Sequence, residues 1–144
     1  MKNRLRPIIF IFTILLISHF CQAQEATVQH KIVIQLTTAD TSAWSSTIGS
    51  IKNIQKVFKT NLQIEVVVHG KALDFLVKDK TFFANEIAGL TQEGIVFSAC
   101  ENSMRRHNIQ KADLLTDAFT VPSGVVEVIL KQEQGWTYLK ASNN

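Results

Sequence analysis

From His30 onward the chain alternates short β-branched runs with stretches of helical spacing. His30-Lys31-Ile32-Val33-Ile34-Gln35-Leu36 is bounded by polar residues and predicts a strand. Thr37 to Ser42 is a polar turn suited to capping a helix, and Trp44, Ile48, Ile51 and Phe58 then recur near helical spacing. With Ile54 and Val57 widening the stripe, residues 42–59 predict an amphipathic helix. Leu62 to Val68 predicts a second strand, whose Val66-Val67-Val68 run is apolar on both faces, as in a buried parallel strand. Ala72 to Val77 and Phe82 to Leu90 carry helical patterns separated by a Lys-rich turn. Gly94 to Ala99 predicts a third strand, Glu101 to Ile109 a short polar helix, Leu114 to Val121 a short fourth strand, and Trp136 to Leu139 a fifth.

One stretch reads two ways. Val125-Val126-Glu127-Val128-Ile129-Leu130 favours a strand by propensity, because β-branched residues dominate it. Its position favours a helix, since it follows Pro122-Ser123-Gly124, ends near Gly135 and lies between two strands. Read as a helix, it completes an alternation of strands and helices. That alternation predicts an α/β fold, a three-layer sandwich around a mostly parallel five-stranded sheet with flavodoxin-like winding. No internal repeat or linker divides it, so residues 24–144 are expected to form a single domain.

The N-terminal segment has a different character. Lys2, Arg4 and Arg6 precede an apolar run from Ile8 to Ile17, and Cys21-Gln22-Ala23 offers small residues where a signal peptidase reads. Residues 1–23 are therefore expected to be a cleaved signal peptide that delivers the protein to the periplasm or outside the cell. The run is shorter than the ~20 residues needed to span a bilayer, so no membrane anchor is expected after cleavage. Bulky Phe20 before Cys21 speaks against lipidation of that cysteine.

This changes the charge. The full chain of 144 residues has 15 Lys and Arg against 12 Asp and Glu, but three of the basic residues lie in residues 1–23. The remainder is 12 against 12, formally neutral, and carries no dense basic run beyond Arg105-Arg106. A nucleic-acid partner, which needs a positive footprint, is disfavoured. With 46% hydrophobic residues, six glycines and two prolines, the chain is neither collagen-like nor disordered. The exported portion keeps one thiol, Cys100, and no ligand spacing of the kind that holds a metal.

In an open parallel sheet, ligands bind beyond the carboxyl ends of the strands. Those ends supply Thr37, Thr38 and Asp40 after the first strand, His69 and Gly70 after the second, Cys100 and Asn102 after the third, and Ser123 and Gly124 after the fourth. Thr37 to Ser42 is rich in hydroxyls but lacks the glycine of a phosphate loop, so it is assigned to capping and no cofactor is expected. Cys100 ends an apolar strand and begins a helix, where backbone amides and the helix dipole lower a thiol pKa. Two readings of it stand: a reactive thiolate, or a small buried hydrophobe. His69 has two readings as well, a proton partner for Cys100 or a strand-end histidine satisfied by backbone groups. Arg105 and Arg106 add positive field if either folds back, and His107 lies two turns away, too far to pair with the thiol directly.

Val-Phe-Ser-Ala-Cys-Glu-Asn-Ser-Met (96–104), Val-Pro-Ser-Gly-Val-Val-Glu (121–127), Gln-Glu-Gln-Gly-Trp-Thr-Tyr-Leu-Lys (132–140) and Val-Val-Val-His-Gly (66–70) resemble the DsrE/DsrF-like family. The resemblance runs from about His30 to Lys140 and implies a DsrE-like α/β fold assembled as a homotrimer or hexamer. It also implies a sulfur-relay role, in which a cysteine carries persulfide between donor and acceptor proteins; Cys100 matches the cysteine of the family's Cys-x-Asn-Thr/Ser pattern. The leading expectation is thus a periplasmic sulfur carrier or sulfurtransferase, with Cys100 as nucleophile, Asn102 donating to the sulfur and His69 as proton partner. The alternative is a non-enzymatic oligomeric protein that binds a small ligand and whose cysteine is incidental.

Overall fold

The computed structural model describes residues 29–142, so the expected signal peptide, with Cys21, lies outside the described residues. Among the described residues, five strands form one sheet: β1 (His30–Leu36), β2 (Leu62–Val68), β3 (Val96–Cys100), β4 (Phe119–Val121) and β5 (Thr137–Lys140). Their order is β4-β3-β2-β1-β5, and every pairing is parallel. The helices are α1 (Thr41–Phe58), α2 (Ala84–Gln92), α3 (Glu101–Arg106) and α4 (Gly124–Glu133), joined by 3₁₀ turns at Gly70–Leu76 and Lys111–Asp113.

The strand order explains which face each helix covers. From β1 to β4 the chain steps steadily in one direction, and the last crossover then returns past three strands to place β5 outside β1. Parallel crossovers keep one hand, so reversing the direction of travel moves the connecting helix to the opposite face. The strand residues divide accordingly. Ile32, Ile34, Leu36, Ile64, Val66, Val68, Phe97 and Ala99 face the larger core, built with Trp44, Ile48 and Ile51 of α1 and with Leu73, Phe75 and Leu76. Val33 and Val67 point the other way, onto Val128 of α4, with Trp136 and Tyr138 alongside. The result is a three-layer α/β sandwich.

Local sequence accounts for most element ends. Asp40 caps α1, accepting from the Ser42 amide at 2.8 Å, and Trp44 Nε1 donates to the Thr38 carbonyl at 2.8 Å, tying the helix start to the turn after β1. The polar turn from Thr37 to Ser42 is a cap, as expected. Leu73 and Leu76 stand three apart and are both buried, a repeat that suits a 3₁₀ turn, and this segment is one instead of an α-helix. The short polar helix ends at Arg106, earlier than its sequence suggested, and the fourth strand occupies only the last three residues of the predicted segment. The ambiguous stretch at 125–130 is helical, inside α4.

A polar cluster lies within the sandwich, on the α4 side of the sheet. Glu65, on the α4 face of β2 and 4% exposed, accepts from Ser98 Oγ at 2.7 Å and pairs with Lys131 of α4 at 2.5 Å. Lys131 also sits 3.6 Å from Glu127 and 4.4 Å from the centre of the Trp136 ring. A buried carboxylate is tolerated only when it is paired and hydrogen-bonded, and here both conditions hold. The ion pair pins α4 to the middle of the sheet.

Candidate functional site

The carboxyl ends of β2 and β3 and the start of α4 meet on one face of the sheet. Alternation along β3 puts Phe97 and Ala99 in the larger core, leaving Ser98 and Cys100 on the α4 side. Cys100 is the last residue of β3 and the N-cap of α3, and it is 4% exposed.

Four donor groups favour the charged form of its thiol. They are the Ser103 hydroxyl and the backbone amides of Gly124, Ser103 and Asn102. Burial pushes the thiol pKa up, since it penalises the charged form, but the four hydrogen bonds outweigh it and the net direction is down. Two of the amides belong to α3, which follows β3 directly. The Gly124 amide comes from the far crossover, because the topology carries α4 back over the sheet with its first residue above the end of β3.

Ser103 is the pivot of this arrangement. Its Oγ accepts the Gly70 amide at 2.9 Å, which leaves the hydroxyl proton for Cys100. Gly70 begins the 3₁₀ turn with φ +63°, a left-handed conformation that glycine adopts without steric cost, and this aims its N–H at Ser103. Gly124 is constrained by proximity. A Cβ there would stand 3.0 Å from His69 Cβ, 3.1 Å from Cδ2 and 3.2 Å from Cγ. The absence of a side chain lets α4 approach closely enough for its first amide to reach the sulfur.

His69 is therefore packed against the same glycine that serves Cys100. Burial lowers its pKa, favouring the neutral ring. Its Nε2 lies 2.9 Å from Gln35 Nε2, and Gln35 Oε1 accepts from the Tyr138 hydroxyl at 2.6 Å. Asn102 is exposed; its backbone amide faces the sulfur, while its side-chain oxygen accepts from Arg105 Nη2. Arg105, Arg106 and His107 are all exposed. Among the described residues, no group of three or more His, Cys, Asp and Glu side chains is placed to hold a metal.

The structure thus brings Cys100, His69 and the Asn102 backbone to one place. Ser103, Gln35 and Tyr138 join the site without having been anticipated, and Gly124, anticipated only as a strand-end residue, proves to be a donor. A polar Gln35 inside the otherwise apolar Ile32–Leu36 run was a signal available in the sequence.

The sequence model of the DsrE/DsrF-like family matches residues 30–141. Among solved structures, a protein of unknown function from Methanobacterium thermoautotrophicum, MTH1491, is 27% identical, with a TM-score of 0.74 over 77% of this chain and 98% of its own. The ychN protein of E. coli shares the fold at 14% identity, with a TM-score of 0.67 over the same fractions. No curated protein matches the chain.

Proposed function

The chain belongs to the DsrE/DsrF-like family, and we propose that it handles sulfane sulfur as a persulfide on Cys100. The observation that carries this reading is the place of Cys100 at the end of β3 and the N-cap of α3, where the Ser103 hydroxyl and the amides of Gly124, Ser103 and Asn102 lower its thiol pKa. Such donors favour the thiolate, the form that attacks sulfur. The Cys100 thiolate attacks the outer sulfur of a hydropersulfide, R–S–SH. A Cys100–sulfur bond forms, the bond between the two donor sulfurs breaks, and its electron pair leaves with R–S⁻, so that Cys100–S–SH results. Reversal onto an acceptor thiolate passes the sulfur on. A persulfide needs one cysteine only, which suits a chain whose described residues contain a single thiol.

Asn102 contributes its amide to the sulfur, and His69 borders the site through Gly124. Export by residues 1–23 belongs to the same reading, which places the carrier in the periplasm or outside the cell. So does assembly into a homotrimer or hexamer: Val125, Val126, Ile129 and Leu130 leave the outer side of α4 apolar and about half-exposed. The second reading, a ligand-binding protein with an incidental cysteine, draws on the 4% exposure of Cys100, which limits access to the sulfur.

Intact-mass spectrometry separates the two. Protein purified without reductant is treated with polysulfide, beside Cys100→Ser. A gain of one or more sulfur atoms, reversed by reductant and absent in the variant, is expected. A folded thiol inert to both polysulfide and iodoacetamide would overturn the sulfur reading and favour the binding protein.

A further inference from the structure

Along the carboxyl ends of the strands, on the α4 side, three polar side chains form a row beside the groups that act on Cys100. Tyr138 of β5 donates its hydroxyl proton to Gln35 Oε1 on β1 at 2.6 Å. The other end of that carboxamide, Gln35 Nε2, lies 2.9 Å from His69 Nε2 just beyond β2. A carboxamide has one end that accepts and one that donates. With its oxygen taken by Tyr138, it presents N–H to the imidazole, and the ring nitrogen facing it must supply a lone pair. The proton of a neutral ring is then on Nδ1.

We infer that Tyr138 and Gln35 are positioning residues that hold His69 as its neutral Nδ1–H tautomer, so that the histidine buttresses Gly124 and does not serve as the base for the Cys100 thiol. Its relevance to catalysis rests on the sulfur-carrier reading of Cys100. Both ring nitrogens are accounted for: Nε2 accepts from Gln35, and Nδ1 carries the proton. A base acting on Cys100 would need a free lone pair, and this ring has none to offer. The donors from Ser103, Gly124, Asn102 and the Ser103 amide supply the thiolate stabilisation instead.

The ring's position matters as much as its protonation. His69 atoms lie 3.0–3.2 Å from where a Gly124 side chain would begin, so the wall formed by His69 sets how α4 seats over Cys100. The row thus runs from β5 at one edge of the sheet, through β1 and β2, to the amide that reaches the sulfur on β3. By the same logic the departing R–S⁻ takes its proton from water and not from His69, because a neutral Nδ1–H is a hydrogen-bond donor and far too weak an acid to give up its proton.

The tautomer is read directly by nuclear magnetic resonance. Long-range proton–nitrogen correlations of the full chain labelled with ¹⁵N-histidine distinguish protonated from unprotonated ring nitrogens, with His69 assigned from its loss in His69→Asn. The wild type is expected to show protonated Nδ1 and bare Nε2 above the histidine titration range. Gln35→Glu removes the N–H that faces Nε2 and substitutes an acceptor, so the tautomer inverts to Nε2–H. Tyr138→Phe, a milder change that keeps the ring, frees the carboxamide to turn and gives a mixture of the two. A wild-type Nε2–H ring overturns the inference, as does an unchanged Nδ1–H signature in either folded variant. Polysulfide uptake by the same wild-type sample is scored separately. Failure there overturns the sulfur reading and leaves the tautomer result standing on its own.

Discussion

Ser103→Ala is the sharpest perturbation of the site, because it removes one oxygen and introduces no clash. That oxygen has two partners: it donates to Cys100 and accepts the Gly70 amide at 2.9 Å. A hydrogen bond to a charged group contributes about 1.5–3 kcal/mol. At 1.36 kcal/mol per unit, losing it should raise the Cys100 titration midpoint by roughly 1–2 pH units. The remaining amides of Gly124, Ser103 and Asn102 still favour the thiolate, so part of the depression survives. The half-buried Gly70 amide also loses its partner, which costs about 1–3 kcal/mol of stability. The assay is the initial rate of iodoacetamide alkylation across the thiol titration range, with a denaturant melt of the same variant. Ser103→Thr keeps a hydroxyl and should return the midpoint toward the wild-type value. A folded Ser103→Ala whose midpoint does not move would refute the claim that this hydroxyl holds the thiolate.

Gly124→Ala places a methyl 3.0–3.2 Å from three His69 atoms; overpacking of this kind should cost about 1–3 kcal/mol and lift α4 away from the sulfur, raising the alkylation midpoint as well. Unchanged stability and midpoint together would show that the close approach is not needed. Lys131→Met leaves the buried Glu65 carboxylate with only Ser98 as partner and should destabilise by about 3–5 kcal/mol in chemical denaturation, whereas Glu65→Gln combined with Lys131→Met should recover much of it. A loss below about 1 kcal/mol in the single variant would mean that the pair is screened by water. The lowered Cys100 pKa fixes the sign of a pH effect: between the depressed folded value and the ordinary 9.0 the unfolded chain binds more protons, so unfolding free energy rises with pH in that window and falls as pH drops through the folded value. Comparing the slopes of stability against pH for wild type and Cys100→Ser checks it, and parallel slopes would count against a depressed thiol.

Most of the fold was legible because one face of each of β1, β2 and β3 is a continuous apolar surface, and period-two and helical patterns survive in the sequence. β1 and β2 fall on the residues their β-branched runs predicted, and α1 differs by one residue at each end. The 125–130 stretch shows where propensity loses to topology. Its valines and isoleucine favour a strand, yet only Gly124 and Val128 of α4 are buried. A strand there could not cover the second face of the sheet or return the chain from β4 to β5. The helical pattern from Ala72 to Val77 falls on a 3₁₀ turn at Gly70–Leu76, because three-residue and four-residue spacings are hard to separate over so short a segment.

The site was legible only in part, and the division follows contact distance in the chain. Cys100 was visible because its position at the end of β3 is a local property. The donors from Asn102 and Ser103 follow from it within three residues. Gly124 reaches the sulfur through a crossover that spans the sheet, and Tyr138 meets Gln35 across 103 positions, so no local pattern announces either contact. What the sequence does announce is polarity out of place: Gln35 and Glu65 each interrupt an apolar run, Ile32–Leu36 in β1 and Ile64–Val68 in β2, and each does so on the side that α4 covers. Those interruptions mark the face on which chemistry is possible. The larger core, with its aromatic cluster of Trp44, Phe75, Phe83 and Phe97, lies on the opposite face, where its side chains are apolar and pack away from the side chains of the row that ends at Cys100. Conservative changes in that row should therefore alter thiol acidity more than global stability. Changes beneath α1 should do the reverse, which makes the two faces of one sheet separable by experiment.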